Sequence, residues 1–434
     1  MRLSSVVSGV VVIGLLGVPT TAQAQTSADG LQQEIQQLKQ DLDALKRDYE
    51  ARLAALEAKL AAVPGAPPAP APATAPAPAT APAPVNTAPA DQGATLPVYG
   101  AATAGSKIFN PDIAVIGDFL GTAGRNTVAP SPALSMHETE ASFQAVVDPY
   151  ARADFFLSFG ESGVDLEEGF LTLTSLPGGL LTRVGKMRAA FGKVNGLHNH
   201  VLPWADRPLV IENLVGGEEG VSDAGVSVAR LIPNPWLFLE ATGQVFRGDT
   251  EADLFKSSKP GDLSYVAHLR GYHDVSESTN IDLGVSYSRG HNAAGIVNGT
   301  DVGRFTTELY SMDGTVRWRP LRRSIYHSFI GRTELVWSRR QQFGGQQNAM
   351  GYFVSADYQL ARRWFTGVRY DRSDHADDAT VFDRGGSLVL SFWPSEFSQV
   401  RGQYRHISYG SDSDANELLF QLMFSIGAHG AHPF

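Results

Sequence analysis

The chain has 434 residues, with 35 Lys and Arg against 45 Asp and Glu, a formal net charge of −10, and no cysteine. The acidic balance argues against nucleic acid as a partner, because nucleic-acid-binding proteins need a basic surface. The lack of cysteine excludes disulfides, Cys-ligated zinc and thiol nucleophiles. Charged residues make up only 18% of the chain, below the roughly 25% of soluble domains, which predicts a surface that does not all face water.

Residues 1–24 have the pattern of a secretory signal peptide. Arg2 supplies the positive charge, an apolar run extends from Val6 to Val18, and Ala22 and Ala24 form a small-residue cleavage site. The apolar run is shorter than the ~20 residues that a membrane-spanning helix needs. We therefore expect export, with cleavage after residue 24.

Residues 25–63 predict an α-helical coiled coil. Apolar residues recur in steps of three and four from Leu31 to Val63, with one extra step of four near Tyr49, which is a heptad seam with a stutter. So narrow a stripe favours self-association, and a single helix lying on the rest of the molecule is the alternative. Residues 64–92 contain ten of the chain's 25 prolines, alternating with Ala and Thr, and predict a semi-rigid spacer without a core.

Residues 93–434 predict an all-β domain, a 16-stranded antiparallel transmembrane β-barrel. Apolar and polar residues alternate along segments such as 281–288, as in strands whose two faces meet different solvents. Short turns alternate with longer polar loops, and both ends lie on the short-turn side, as is typical of bacterial outer-membrane barrels. The pattern also allows 14 or 18 strands. We expect strands near residues 113–121, 137–147, 150–159, 163–174, 180–190, 224–231, 236–247, 263–274, 278–290, 305–319, 323–339, 348–360, 362–373, 383–394, 396–409 and 415–428.

The order of signal, coiled coil, Pro-rich spacer and barrel resembles that of trimeric bacterial porins. The strand 183–188 (Arg-Val-Gly-Lys-Met-Arg) and the following 191–193 (Phe-Gly-Lys) resemble the V-G-K…F-G segment of the phosphate-selective porin O/P type. This resemblance implies a homotrimer in the outer membrane. It also implies passive diffusion of small hydrophilic solutes or ions, including phosphate-like anions.

The C-terminal residues resemble two further kinds of outer-membrane segment. The terminal Phe434 resembles the recognition signal through which outer-membrane proteins engage the barrel-insertion machinery. The histidine-bearing tail 428–434 resembles that of barrel proteins labelled zinc-regulated TonB-dependent outer-membrane receptors. This chain is too short for the ~22 strands and plug of true TonB-dependent receptors, so we do not expect energy-coupled transport.

The longest loop, 191–223, follows the fifth predicted strand and is the third external loop. By resemblance to trimeric porins it folds inward as the constriction, and an outward lid or trimer latch is the alternative. Its acidic residues outnumber its cationic ones, which favours general or cation-tolerant diffusion over a phosphate trap. The candidate constriction residues are Lys193, His198, His200, Asp206, Arg207, Glu212, Glu218 and Glu219.

Strand phase places further charged side chains in the lumen. Arg332 and Glu334 share one strand face, as do Arg369 and Asp371, so we expect a neutral wall network rather than an anion filter. The candidate lumen-lining residues are Lys186, Arg188, Arg332, Glu334, Arg369, Asp371, Arg401 and Arg405.

His198 and His200, with carboxylates of the same loop, are weak candidates for a divalent metal site, and we expect no resident cofactor. The sequence lacks a nucleophile elbow, a phosphate-binding glycine loop and an H-E-x-x-H motif, so we predict a protein that is not an enzyme. The favoured function is a homotrimeric porin embedded in outer-membrane lipid, with its stalk in the periplasm and in contact with the cell wall. A zinc-binding or uptake protein and a structural envelope tether are the alternatives.

Overall fold

Within the residues that the structure describes, sixteen antiparallel strands form one closed barrel in which each strand pairs with its neighbours in chain order, and the first strand also pairs with the last. The computed structural model describes residues 111–160, 163–251, 254–298 and 300–427. The predicted signal peptide, coiled coil, spacer and C-terminal tail, including Phe434, lie outside these residues, so those interpretations stay predictions. None of the helices within the described ranges has the length and apolar character needed to cross a membrane.

The strands are long and their connections are mostly short at one end. A two-stranded hairpin, β10 with β11, lies in the loop after β9. Short helical turns occupy Pro177–Gly179, Asn199–Val201, Ile211–Val215 and Ala293–Gly295. The strands are β1 (Asp112–Arg125), β2 (Leu134–Asp148), β3 (Ala151–Gly160), β4 (Gly163–Leu176), β5 (Leu180–Arg188), β6 (Ser222–Leu231), β7 (Phe238–Phe246), β8 (Ser264–Ser276), β9 (Thr279–His291), β10 (Ile296–Val297), β11 (Thr300–Asp301), β12 (Thr306–Trp318), β13 (Phe329–Gln342), β14 (Gly345–Ala361), β15 (Trp364–Asp374), β16 (Phe382–Ser395), β17 (Ser398–Tyr409) and β18 (Ser413–Gly427).

The predicted count of sixteen barrel strands is confirmed, and each predicted segment coincides with one barrel strand. The largest difference is at β13, which begins at Phe329 rather than near residue 323. The chain turns before it, where the carbonyl oxygen of Arg323 accepts hydrogen bonds from the amides of Tyr326 and His327. The small hairpin β10–β11 was not predicted, because strands of two residues are too short to show alternation.

The barrel is apolar outside and polar inside. On β18 the outward side chains from Leu418 to Ile426 are 37–65% exposed, whereas Glu417 and Gln421 on the opposite face are each only 2% exposed. The same pattern occurs on β16, where Leu388 is exposed, whereas Ser387 and Ser391 on the other face are buried. An apolar outer band with a polar interior is the pattern required of strands that face hydrocarbon on one side.

The largest apolar cluster lies inside the barrel. It joins aromatic and aliphatic side chains of the segment between β5 and β6 with inward side chains of the wall. Members from the segment are Phe191, Trp204, Ile211, Leu214 and Val215, and members from the wall are Phe246, Val266, Leu309, Val336 and Phe353. Barrels of this strand number enclose a lumen, and here the chain's longest loop occupies part of it.

Candidate functional site

The segment 189–221, here called the inward loop, enters the lumen between β5 and β6. It is the loop predicted at 191–223, with bounds two residues earlier. Its polar contacts reach strands on all sides of the barrel, among them β4, β9, β13 and β17. The loop therefore lies inside the barrel and not as an outward lid.

The first turn of the inward loop is fixed to Glu334 on β13. The carboxylate Oε2 accepts hydrogen bonds from the backbone amides of Lys193 and Val194, each at 3.1 Å. Gly192 has a φ of +57°, and a Cβ at this position would overlap the Glu334 carboxylate. The side chain of Lys193 continues to Asp282 at 2.8 Å. Burial lowers the pKa of Lys193, although the Asp282 carboxylate opposes this effect.

The middle of the inward loop is held by Asp206. Its two carboxylate oxygens lie 3.0 Å from Arg369 Nη2 on β15 and 2.9 Å from Arg405 Nη1 on β17. Each arginine has a second carboxylate, Asp371 for Arg369 and Glu417 for Arg405. Burial alone would raise the pKa of Asp206, but the two guanidinium groups outweigh it and hold that pKa below its usual range.

Arg401 on β17 binds the loop backbone next to this ion-pair group. Its guanidinium donates to the carbonyl oxygens of Leu202 and Trp204, both at 2.8 Å. The Trp204 ring packs edge-on against Phe353 at 5.3 Å and lies under the Arg369 guanidinium at 4.9 Å. These contacts fix a bulky aromatic side chain near the middle of the lumen.

The remaining predicted cations also have close partners. Arg332 pairs with Asp357 on β14, and not with Glu334 as strand phase alone suggested. Arg207 braces the loop on itself by donating to the carbonyl oxygen of Leu197 at 2.6 Å. Burial, with a smaller contribution from Arg188, lowers the pKa of Arg207 to about 10. Arg332 thus stabilises the wall, and Arg207 stabilises the loop.

The two loop histidines lie against the wall glutamates of β2 and β4. His198 Nδ1 is 2.8 Å from Glu140 Oε2 and 3.0 Å from Glu167 Oε2, and its Nε2 is 2.8 Å from Glu168 Oε2. His200 Nδ1 is 3.6 Å from the same oxygen of Glu140. We call these five residues the histidine–glutamate cluster. The close partners are wall residues, rather than the loop's own acidic side chains.

The pKa values of the two histidines move in opposite directions. Burial would lower the pKa of His198, but the surrounding carboxylates outweigh burial and raise that pKa well above its ordinary value. Burial lowers the pKa of His200, and the opposing carboxylates, of which Glu140 has the largest effect, do not compensate. The two adjacent imidazoles therefore differ in how readily they bind a proton.

An acidic cavity of about 400 Å³ opens at the end of the barrel that carries the long loops. It lies between β2–β4 and the inward loop. Its acidic lining residues are Glu138, Asp165, Glu167, Glu218, Glu219 and Glu251. Arg188 lines it too and pairs with Glu167 at 3.1 Å. Lys186 binds Asp165 and Glu251 at 3.4 and 2.8 Å. The lining of this cavity is therefore strongly acidic.

Further cavities lie on both sides of Asn199–Val201, a short helical turn in the inward loop. At the end of the barrel that carries the long loops, two cavities of about 180 and 610 Å³ share four lining residues, Asp206, Arg207, Glu212 and Arg405. At the short-turn end a cavity of about 250 Å³ is lined by residues that include His200 and Leu202. Leu202 lines cavities on both sides. The segment Asn199–Leu202 therefore separates the two ends of the lumen.

Glu212 contributes a titratable group to the loop-end cavities. Partial desolvation inside the barrel raises its pKa to about 7, with Arg207 opposing and Glu218 and Asp206 adding to the effect. Glu219 has a raised pKa for the same reason, reinforced by Glu251. Both groups belong to the loop that divides the lumen.

Sequence reasoning did not single out the wall glutamates Glu138, Glu140, Glu167 and Glu168. The available signal was their position, because pairs of acidic residues occur within two predicted strands, 137–147 and 163–174. Acidic side chains on the inward face of barrel strands are candidates for the lumen. Their approach to the inward loop joins residues that are far apart along the chain, from 30 residues between His198 and Glu168 to 61 between Asn199 and Glu138, which sequence spacing does not reveal.

Comparisons with known proteins identify the fold. No protein-family model matches the chain. An uncharacterized protein of Aquifex aeolicus (strain VF5) is 29% identical over 406 residues, covering 78% of this chain and 83% of that protein. The anion-selective porin from Comamonas acidovorans superposes with a TM-score of 0.51 at 10% identity, covering 73% of this chain and 99% of its own. Pseudomonas putida OprB gives 0.50 at 11% identity, with 74% and 95% covered. At these identities the likeness shows the fold alone, which is that of outer-membrane porin barrels.

Proposed function

We propose that this protein is an outer-membrane porin through which small hydrophilic solutes diffuse passively. The observation that carries the proposal is a closed barrel, apolar outside and polar inside, whose inward loop leaves cavities on both sides of Asn199–Leu202. By the habit of such barrels, the short turns face the periplasm and the long loops face outward. The acidic cavity is then the external mouth.

The constriction of this pore is the segment Asn199–Leu202 against the wall of β1, β2, β17 and β18. Asp118 and Gln421 line the external side of this passage, and Gln399 lines the periplasmic side. The loop's apolar cluster occupies another part of the lumen. A narrow, polar-walled passage of this kind favours small ions and solutes over large ones.

The charges of the mouth support a preference for cations. Selective anion passage needs rings of cationic side chains that are available to the permeating ion. Arg369 and Arg405 are instead shared with Asp206, and Arg401 is bound to backbone carbonyl oxygens. Phosphate-like anions, implied by the sequence resemblance, are thus less well supported as the solute.

The assembly follows from the sequence resemblance and completes the proposal. The signal peptide directs export, three barrels associate in outer-membrane lipid, and the stalk extends into the periplasm towards the cell wall. Insertion uses Phe434 as the signal for the insertion machinery. These elements lie outside the described residues, and they rest on sequence patterns alone.

The test is single-channel recording in planar bilayers, with the full mature chain and with a version that starts at residue 93. We expect ohmic steps in groups of three and a reversal potential of cationic sign across a KCl gradient. Neutralising Glu218, Glu219 and Glu251 together to Gln should reduce that cation preference. Glu277→Gln, at an exposed position in the turn between β8 and β9, is the matched control and should not.

Silent bilayers from folded, heat-modifiable protein would overturn the pore proposal and favour the tether alternative. A reversal potential of anionic sign would leave the pore in place and overturn the cation preference, in favour of phosphate-like solutes.

A further inference from the structure

We propose that His198, His200, Glu140 and Glu167 bind one divalent transition-metal ion of the zinc type where the inward loop meets the barrel wall. Neutral imidazole nitrogens and carboxylate oxygens are ligands that zinc takes in proteins. The inference goes beyond passive diffusion and does not require that the pore conducts.

The ligand atoms of Glu140, Glu167 and His198 lie close enough together for a single ion, and His200 lies beside Glu140. Glu140 Oε2 lies 2.8 Å from His198 Nδ1 and 3.6 Å from His200 Nδ1, and Glu167 Oε2 lies 3.0 Å from His198 Nδ1. Ligands ~2.0–2.1 Å from a tetrahedral zinc ion are roughly 3.3 Å apart. The observed distances lie on both sides of that value, so Glu140, Glu167 and His198 fit one ion as they lie, and a side-chain movement of His200, which lies near Glu140, brings the fourth ligand to it.

Three of these atoms have unused bonding capacity. Glu140 Oε2, His198 Nδ1 and His200 Nδ1 are buried, and although the first two lie 2.8 Å apart as an ion pair, none of the three has hydrogen-bond geometry to any residue that the structure describes. The Glu140 side chain is only 3% exposed. A buried acceptor without a partner is costly and requires an explanation. A cation beside Glu140 Oε2, the oxygen that both imidazoles approach, would give these atoms a ligand bond in place of a hydrogen bond.

The residues around the ligands are arranged as a metal site requires. Glu168 Oε2, at 2.8 Å from His198 Nε2, orients that imidazole so that Nδ1 points into the cluster. Carboxylates in this position fix the tautomer and orientation of metal-ligating histidines. Arg188 Nη2 similarly binds Glu167 Oε2 at 3.1 Å and positions its carboxylate.

Charge and access favour a cation. Four buried or nearly buried carboxylates, of Glu138, Glu140, Glu167 and Glu168, surround the site, and the guanidinium nearest to them is that of Arg188. Glu138 and Glu167 also line the acidic cavity, which concentrates cations at the site by its field. A bound ion would fasten the dividing segment of the loop to β2 and β4.

The experiment is a zinc titration of the full mature chain, folded in detergent and without an affinity tag, with bound metal counted after dialysis. A parallel titration with Co²⁺ reports tetrahedral coordination through its visible absorption. The site variants are His198→Ala with His200→Ala, and Glu140→Gln. The matched control is His429→Ala with His432→Ala, which removes the tail histidines instead.

We expect the wild type and the tail variant each to bind one equivalent of zinc with micromolar or tighter affinity. Both should also give a tetrahedral Co²⁺ spectrum. The double histidine variant should lose that equivalent, and Glu140→Gln should bind at least tenfold more weakly. Glu168→Gln, which removes an orienting contact, should weaken binding by about 10–100-fold.

Folded site variants that keep the wild-type zinc stoichiometry and Co²⁺ spectrum would overturn the site. So would a wild-type barrel that takes up no zinc at micromolar concentration, since the cluster would then be an ion-pair network around a charged imidazole. Glu140→Gln preserves side-chain volume, so it tests the site even where the double variant does not fold. Zinc binding by a protein that forms no channels would overturn the porin proposal alone.

Discussion

Asp206 ties the inward loop to two arginines of the wall, and Asp206→Ala is expected to loosen the loop. The carboxylate bridges Arg369 and Arg405 at 3.0 and 2.9 Å, on two strands that are neighbours of β16. The Arg369 side chain is 2% exposed and that of Arg405 is 13% exposed, so water does not replace the lost carboxylate freely.

The expected loss of loop-docking free energy depends on the ion pairs that the two arginines keep. Removing one partner of a buried ion pair costs about 3–5 kcal/mol when the other charge is left uncompensated. Here Arg369 keeps Asp371 at 2.7 Å, and Arg405 keeps Glu417 at 2.8 Å. We therefore expect the lower end, about 3 kcal/mol of loop docking free energy. That is roughly a 100-fold fall in the ratio of docked to undocked loop.

The assay combines single-channel recording with the temperature at which the folded, heat-modifiable band unfolds. Asp206→Ala should raise the mean conductance and the open-channel noise and lower the unfolding temperature. Asp206→Asn retains a side-chain acceptor and should give an intermediate result. Asp112→Ala, at an exposed position at the start of β1, should behave as the wild type. Wild-type conductance, noise and unfolding temperature in a folded Asp206→Ala barrel would refute the anchoring role.

Two further outcomes are expected. Gly192→Ala should destabilise the docked loop, because a left-handed backbone costs a non-glycine residue about 1–2 kcal/mol and the added Cβ displaces Glu334. Gly196→Ala, whose Cβ would meet no atom within 4 Å, should be neutral, and equal unfolding temperatures for the two variants would contradict this account. The raised pKa of Glu212, about 7, leaves it neutral at lower pH and charged above, so cation preference should rise between about pH 6 and 8. Glu212→Gln should flatten that rise in reversal-potential measurements, and an unchanged pH profile would exclude Glu212 as its source.

The barrel itself was predictable from the sequence, because its cause is local. A strand between hydrocarbon and a polar lumen must alternate residue by residue, and the segments 281–288 and 415–428 show that alternation directly. Pro and Gly turns then divide the chain into sixteen strands, which the closed pairing confirms. The coiled coil and spacer rest on the same kind of local periodicity and stay predictions.

The contacts inside the barrel depended on tertiary structure. Asp206 meets Arg405 across 199 residues of chain, and Glu334 meets the turn at Val194 across 140. Strand phase places Arg332 and Glu334 on one face. In the closed barrel, however, Arg332 pairs with Asp357, and Glu334 accepts hydrogen bonds from the loop backbone. Alternation fixes which face a side chain takes. Only the closed barrel, by bringing distant strands around one lumen, decides which opposite charge it meets there.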